Sequence, residues 1–213
     1  MKELNRTAER FTDSVIRRMT RISYQYGAIN LAQGFPDFDP PTEITDRLAE
    51  ISGVGPHQYA ITMGAPNFRQ ALAKKCGRCM GRTLDADTEM VVTIGSTEAM
   101  VDTLFAITNP GDKIILFSPY FENYTAQILM VGCEAVFVPL VPPAFGFDPN
   151  VLEDAFKQNV KAILICNPSN PSGKVFSPEE LKIIAEMAER YDTYVIMDEV
   201  YEHIIYAPYK HTY

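Results

Sequence analysis

A three-layer α/β fold, helices on both faces of a mostly parallel sheet, is predicted by three observations. From Glu89 onward, short apolar runs alternate with segments of helical spacing. The runs are continuously apolar, as strands buried on both faces require. Polar segments marked by glycine and proline follow several of these runs directly, and open α/β sheets bind ligands at the carboxyl ends of their strands.

The first third of the chain is less regular. Val15, Ile16, Met19 and Ile22 recur at helical spacing, with Arg17, Arg18 and Arg21 off that face and Gly27 as a stop. This predicts a helix over 12–24. An extended segment, 28–32, leads into the loop 33–41, which contains Gly34. Thr42 is placed to cap a short helix reaching about Ile51. A second loop holds Tyr59, Gly64 and Pro66, and a helix is expected over 67–79. The regular part then reads as strands over 90–94, 113–117, 135–138, 162–166 and 194–197. Helices are expected between them over 96–107, 125–131, 149–157 and 178–190.

Composition narrows the function classes. Of the 213 residues, 46% are hydrophobic and 22% charged, the balance of a globular protein. A net charge of −8 argues against nucleic acid as a main partner. No apolar run approaches the ~20 residues that span a bilayer. The N-terminus has no apolar core of the signal-peptide kind. Cys76, Cys79, Cys133 and Cys166 are too few for a disulfide scaffold, and reduced thiols in the cytoplasm are the simpler expectation. Cys76 and Cys79 have metal-ligand spacing, but no second pair or suitable His set accompanies them. The segment 209–213 does not read as a domain end, so the chain is expected to be an N-terminal portion of a larger protein.

Four strand-end segments carry the chemistry. Gly95-Ser96-Thr97-Glu98-Ala99 opens a helix, where free backbone N–H groups and two hydroxyls suit a phosphate; an ordinary Ser cap after a glycine turn has the same pattern. Pro119-Tyr120-Phe121 offers an aromatic face for a flat ligand, or plain core. Asn167-Pro168-Ser169-Asn170-Pro171-Ser172-Gly173 fixes a non-helical backbone directly after a buried strand, more elaborately than a simple turn requires. Asp198-Glu199-Val200-Tyr201 ends an apolar strand. A carboxylate there needs a partner if buried, and none if it lies just past the sheet. A carboxylate, a phenol three residues on and an amide from the neighbouring strand form a set able to hold an aromatic nitrogen heterocycle. The carboxylate pairs with a protonated ring nitrogen, and the phenol and amide bond a ring oxygen.

These motifs, in this order, closely resemble the class I/II, fold type I, pyridoxal-phosphate-dependent aminotransferases. The likeness runs from about Arg18 onward. The loop Leu31-Ala32-Gln33-Gly34-Phe35-Pro36-Asp37-Phe38 is similar to the branch of aspartate, aromatic, methionine and glutamine/kynurenine transaminases. The resemblance implies an incomplete major cofactor-binding domain over 41–213, with an arm belonging to the small domain over 1–40. It implies pyridoxal phosphate as cofactor. Asp198 would hold the pyridine nitrogen protonated, Asn170 and Tyr201 would bond the ring oxygen, and Phe121 would stack on the ring. Gly95, Ser96 and Thr97 would hold the phosphate. Tyr59 would reach the phosphate of the other subunit in a homodimer, and Gly34 would approach the substrate carboxylate. The family's Schiff-base lysine lies downstream of the Asp-Glu-x-Tyr motif in a Ser-x-x-Lys setting, which this chain does not contain. Lys210 has the wrong context, so the 213 residues alone are expected to be inactive. The same residues are compatible with a carbon–sulfur β-lyase, or with a non-catalytic module that binds the cofactor.

Overall fold

The computed structural model describes residues 2, 3, 5, 7, 9, 11 and 13–213. Its centre is a parallel four-stranded sheet of β1 (Lys113–Ser118), β2 (Glu134–Pro139), β3 (Ala162–Cys166) and β4 (Tyr194–Asp198), in the order β2-β1-β3-β4. Among the described residues, seven α-helices accompany it: α1 (Val15–Tyr26), α2 (Thr42–Ser52), α3 (Pro66–Met80), α4 (Gly95–Ile107), α5 (Asn123–Met130), α6 (Pro149–Phe156) and α7 (Pro178–Arg190).

The side-chain period of the strands divides the core into two layers. Ile115, Phe117, Ile163 and Ile165 face one way, onto Leu152 and Phe156 of α6 and Ile184 and Met187 of α7. Ile114, Leu116, Ala162 and Leu164 face the other way, onto Met100 and Leu104 of α4 and Tyr124 and Ile128 of α5. Both faces of the central strands are covered, which is why Ile114–Phe117 of β1 and Ala162–Ile165 of β3 are continuously apolar and buried. Because all pairs are parallel, the carboxyl ends of β1, β3 and β4 share one edge of the sheet.

Local signals set the helix ends. Ser14 caps α1, accepting the Arg17 N–H at 3.2 Å, and Gly27 closes it at φ +60°. Thr12, the expected start, lies outside the described residues. Ser177 and Glu180 form a reciprocal capping box on α7. Thr42 does not cap α2. It is the first helical residue, Pro41 holds the cap position, and no side chain caps that end.

The strand expected over 90–94 does not form. A strand exists only as part of a ladder, and among the described residues none lies beside this run. Its Val92 N–H donates to Met63 O at 3.1 Å instead. Gly64 makes this approach possible: it has φ +98°, and a Cβ there would lie 2.4 Å from a Val92 methyl. The same region is fastened by the buried Arg69. Its guanidinium donates to Gly64 O, Ala86 O and Asp87 Oδ1. Cys76-Gly77-Arg78-Cys79 lies at the end of α3, where Gly77 is buried and a Cβ would stand 2.5 Å from Arg82 O. All four cysteines are free thiols. Among the described residues, no helix is long and apolar enough to cross a membrane.

Candidate functional site

Asp198 is the last residue of β4 and lies in register with Cys166 at the end of β3. Asn167 extends that ladder by donating its N–H to Asp198 O at 2.9 Å, so the loop after β3 starts beside the acid. Asp198 is buried, at 9% exposure. Both its side-chain oxygens have donors: the Tyr124 hydroxyl on Oδ2 at 2.7 Å, and the Val200 N–H on Oδ1 at 3.2 Å. A carboxylate oxygen accepts more than one bond, so each retains capacity for a ring N–H.

Tyr124 comes from the first turn of α5 and is buried beneath Phe121, whose ring meets it edge-on at 5.6 Å. Burial pushes its phenol far above the ordinary range, and the neighbouring Cys166 thiol and Asp198 carboxylate add to the shift. The phenol is therefore a neutral donor to Asp198. Cys166 is raised as well, mainly by burial, and stays a thiol with Sγ 3.3 Å from Pro168 O. Sequence reasoning missed Tyr124. Its only signal is its place three residues after Phe121, at the amino end of a helix on the same sheet edge.

The loop after β3 closes on itself. Ser169 donates to Lys174 O and Gly173 to Ser169 O, each at 2.8 Å, with Gly173 at φ +70°. This fold of the chain presents Asn170, whose Nδ2 lies 3.5 Å from the Tyr201 hydroxyl. Gly34, Phe121, Asn170 and Tyr201 line one hollow of about 730 Å³. Ser96 and Asp198 line a separate, smaller one of about 150 Å³ between β4 and α4. Gly95 and Thr97 border neither, and Gly95, Ser96 and Thr97 are all exposed. Tyr59 lies apart from both hollows, 97% exposed and at φ +55°.

The start of α4 has no side-chain cap. Gly95 turns the chain at φ +74°, and Glu98 folds back so that its carboxylate accepts the Ile94 N–H. Gln127 of α5 donates to Thr97 O at 2.9 Å and ties the two helices together, while its own Oε1 is buried without a partner. That residue too was not legible from sequence, since nothing local marks a glutamine on α5 as a contact of α4.

A profile of the family "Aminotransferase class I and II" matches residues 26–212. Human "Kynurenine--oxoglutarate transaminase 3" is 35% identical over 203 residues, covering 90% of this chain and 45% of that protein. "Probable N-succinyldiaminopimelate aminotransferase DapC" of Mycobacterium tuberculosis is 36% identical over 203 residues, covering 94% of this chain and 51% of that protein. Among solved structures, N-succinyldiaminopimelate aminotransferase from Mycobacterium tuberculosis superposes with a TM-score of 0.92 at 34% identity, covering 99% of this chain and 55% of that one. Aspartate aminotransferase from Thermus thermophilus with maleate gives 0.92 at 30% identity, covering 100% and 57%. The chain therefore spans about half the length of the relatives it matches.

Proposed function

This chain belongs to the class I and II aminotransferases, and from that membership we propose that it is the N-terminal part of an enzyme that moves an amino group between an L-amino acid and a 2-oxo acid with pyridoxal phosphate. The observation that carries the reading is the buried Asp198 at a strand end, in a hollow that Ser96 also lines.

The donor set has the chemistry that the cofactor requires, and a ring held by all of it bridges the two hollows. Asp198 is an acceptor for a ring N–H. Its burial strengthens that pairing, because a charged pair gains more where water is excluded. Tyr124, held as a neutral donor, keeps the carboxylate turned and leaves its remaining lone pairs to the ring. Asn170 Nδ2 and the Tyr201 hydroxyl lie 3.5 Å apart, close enough for one ring oxygen to accept from both. Phe121 supplies the flat apolar face. The uncapped start of α4, with Gly95, Ser96 and Thr97, is the place for the phosphate. Glu98, whose carboxylate accepts the Ile94 N–H, is a negative charge near that site and opposes the phosphate electrostatically. Bound there, pyridoxal phosphate supplies an electron sink for carbanion chemistry at the substrate Cα. Gly34, on the rim of the larger hollow, presents backbone to the substrate carboxylate.

Tyr59 supports a homodimer in which it reaches the other subunit's phosphate. It is fully extended into solvent, and Ile44, Leu48 and Ile51 form an exposed apolar stripe on α2 for a second copy to cover. We assign 1–40 to an arm of the small domain and 41–213 to the major domain, and place the enzyme in the cytoplasm, in keeping with four free thiols.

The test uses the full-length protein with added pyridoxal phosphate, a panel of amino donors and 2-oxoglutarate. Stoichiometric formation of glutamate and the donor's oxo acid is expected, and none from residues 1–213 alone. Full-length protein that binds the cofactor but releases ammonia without making glutamate refutes the transferase reading.

A further inference from the structure

The turn after β4 has two faces. Glu202 N–H donates to Glu199 O at 2.9 Å and Ile204 N–H to Tyr201 O at 2.8 Å, which winds residues 199–204 with a three-residue spacing. Asp198 and Tyr201 line the two hollows. Glu199 and Glu202, each one residue further on, are held elsewhere. Glu199 Oε1 lies 2.9 Å from Nε2 of His211, whose side chain is 6% exposed. Glu202, with 17% of its side chain exposed, pairs with Lys75 of α3 and accepts the Tyr213 hydroxyl. His203 Nε2 is 3.5 Å from the same carboxylate.

We propose that Lys75 is a positioning residue for Tyr201: its ion pair with Glu202 anchors the back of this turn to α3 and so fixes the hydroxyl on its front. The inference deepens the cofactor reading above and rests on it. With 40% of the Lys75 side chain exposed and 17% of Glu202's, the pair adds little to stability, and its restraint is one of position, since it joins residues 127 apart in sequence. Among the described residues, the Tyr201 hydroxyl has one polar contact, Asn170 Nδ2 at 3.5 Å. Freed of Lys75, the turn pivots where the two site residues attach.

The experiment compares full-length wild type, Lys75→Met, Lys75→Arg, Tyr201→Phe and the Lys75→Met/Tyr201→Phe double variant. Two quantities are read: the Kd of the apoenzyme for pyridoxal phosphate, and the pH midpoint of the bound cofactor's visible absorbance. Lys75→Met and Tyr201→Phe are each expected to weaken binding on the order of tenfold and to move the midpoint in the same direction. The double variant is expected to be no worse than Tyr201→Phe, and Lys75→Arg to restore both readouts. Lys75→Met that lowers thermal stability but leaves affinity and midpoint unchanged, or that adds in full to Tyr201→Phe, overturns the proposal. If Lys75→Met does not fold, Tyr213→Phe, which removes one bond to Glu202, is read in the same cycle by the same criteria. Wild-type protein that takes up no pyridoxal phosphate overturns the cofactor reading itself, and this inference with it.

Discussion

Replacing Tyr124 with Phe removes one oxygen from beneath the site and keeps the ring that packs on Phe121 and Ile128. The lost bond is a 2.7 Å donation to a buried carboxylate. Hydrogen bonds to charged groups contribute about 1.5–3 kcal/mol, and the variant leaves the Asp198 Oδ2 one donor short. The expected loss is therefore roughly 2 kcal/mol, which for a chain of this size lowers the thermal midpoint by about 4–8 °C. The pH dependence has a definite sign. The folded phenol titrates well above its ordinary value of 10.0, so the contribution is complete below that pH and fades as pH rises above it. Thermal melts of wild type and variant from pH 6 to pH 11, followed by circular dichroism, measure the difference. A constant gap below pH 10 that narrows above it is expected. A gap under about 0.5 kcal/mol, or one that widens with alkali, refutes the description of Tyr124 as a neutral buried donor.

Asp198→Asn keeps the shape and removes the charge. In full-length protein it is expected to weaken pyridoxal phosphate binding and to lower kcat/KM for transamination by two orders of magnitude or more, about 3 kcal/mol, measured by titration and steady-state kinetics. Gly77→Ala forces a Cβ to within 2.5 Å of Arg82 O, and a loss of about 1–3 kcal/mol is expected in urea melts. Arg69→Met keeps the buried stem but leaves Gly64 O and Ala86 O without their donor. A loss of roughly 2–3 kcal/mol is expected, with faster amide exchange at Val92, which hangs from Met63 beside Gly64.

Most of the sheet was legible because its strands are short apolar runs between turns, most strictly in β1 and β3, which are buried on both faces: 113–117, 135–138, 162–166 and 194–197 differ from the observed strands by a residue at most at either end. The run 90–94 has the same composition and failed, since composition describes a strand but not its neighbour. Asp198 was legible because a carboxylate ending an apolar run is chemically conspicuous. The roles given to Asn170 and Tyr201 come from the family resemblance; the structure adds that their polar atoms lie 3.5 Å apart. Tyr124, Gln127, Arg69 and Lys75 were not legible, for one shared reason. Each sits on a helix and acts across a long sequence separation, on Asp198, Thr97, the 86–87 loop and Glu202 respectively. A polar residue on a helix carries no local mark of the partner that the fold delivers to it. Thr42 shows the converse: the residue type suited a cap, and Pro41 already occupied that position.

The most direct measurement is a crystal structure of the full-length protein grown with pyridoxal phosphate. The ring nitrogen is expected within about 2.7–2.9 Å of an Asp198 oxygen, with the phosphate on the backbone of Ser96 and Thr97. A ring whose nitrogen meets another group, or a phosphate bound away from the start of α4, would contradict it.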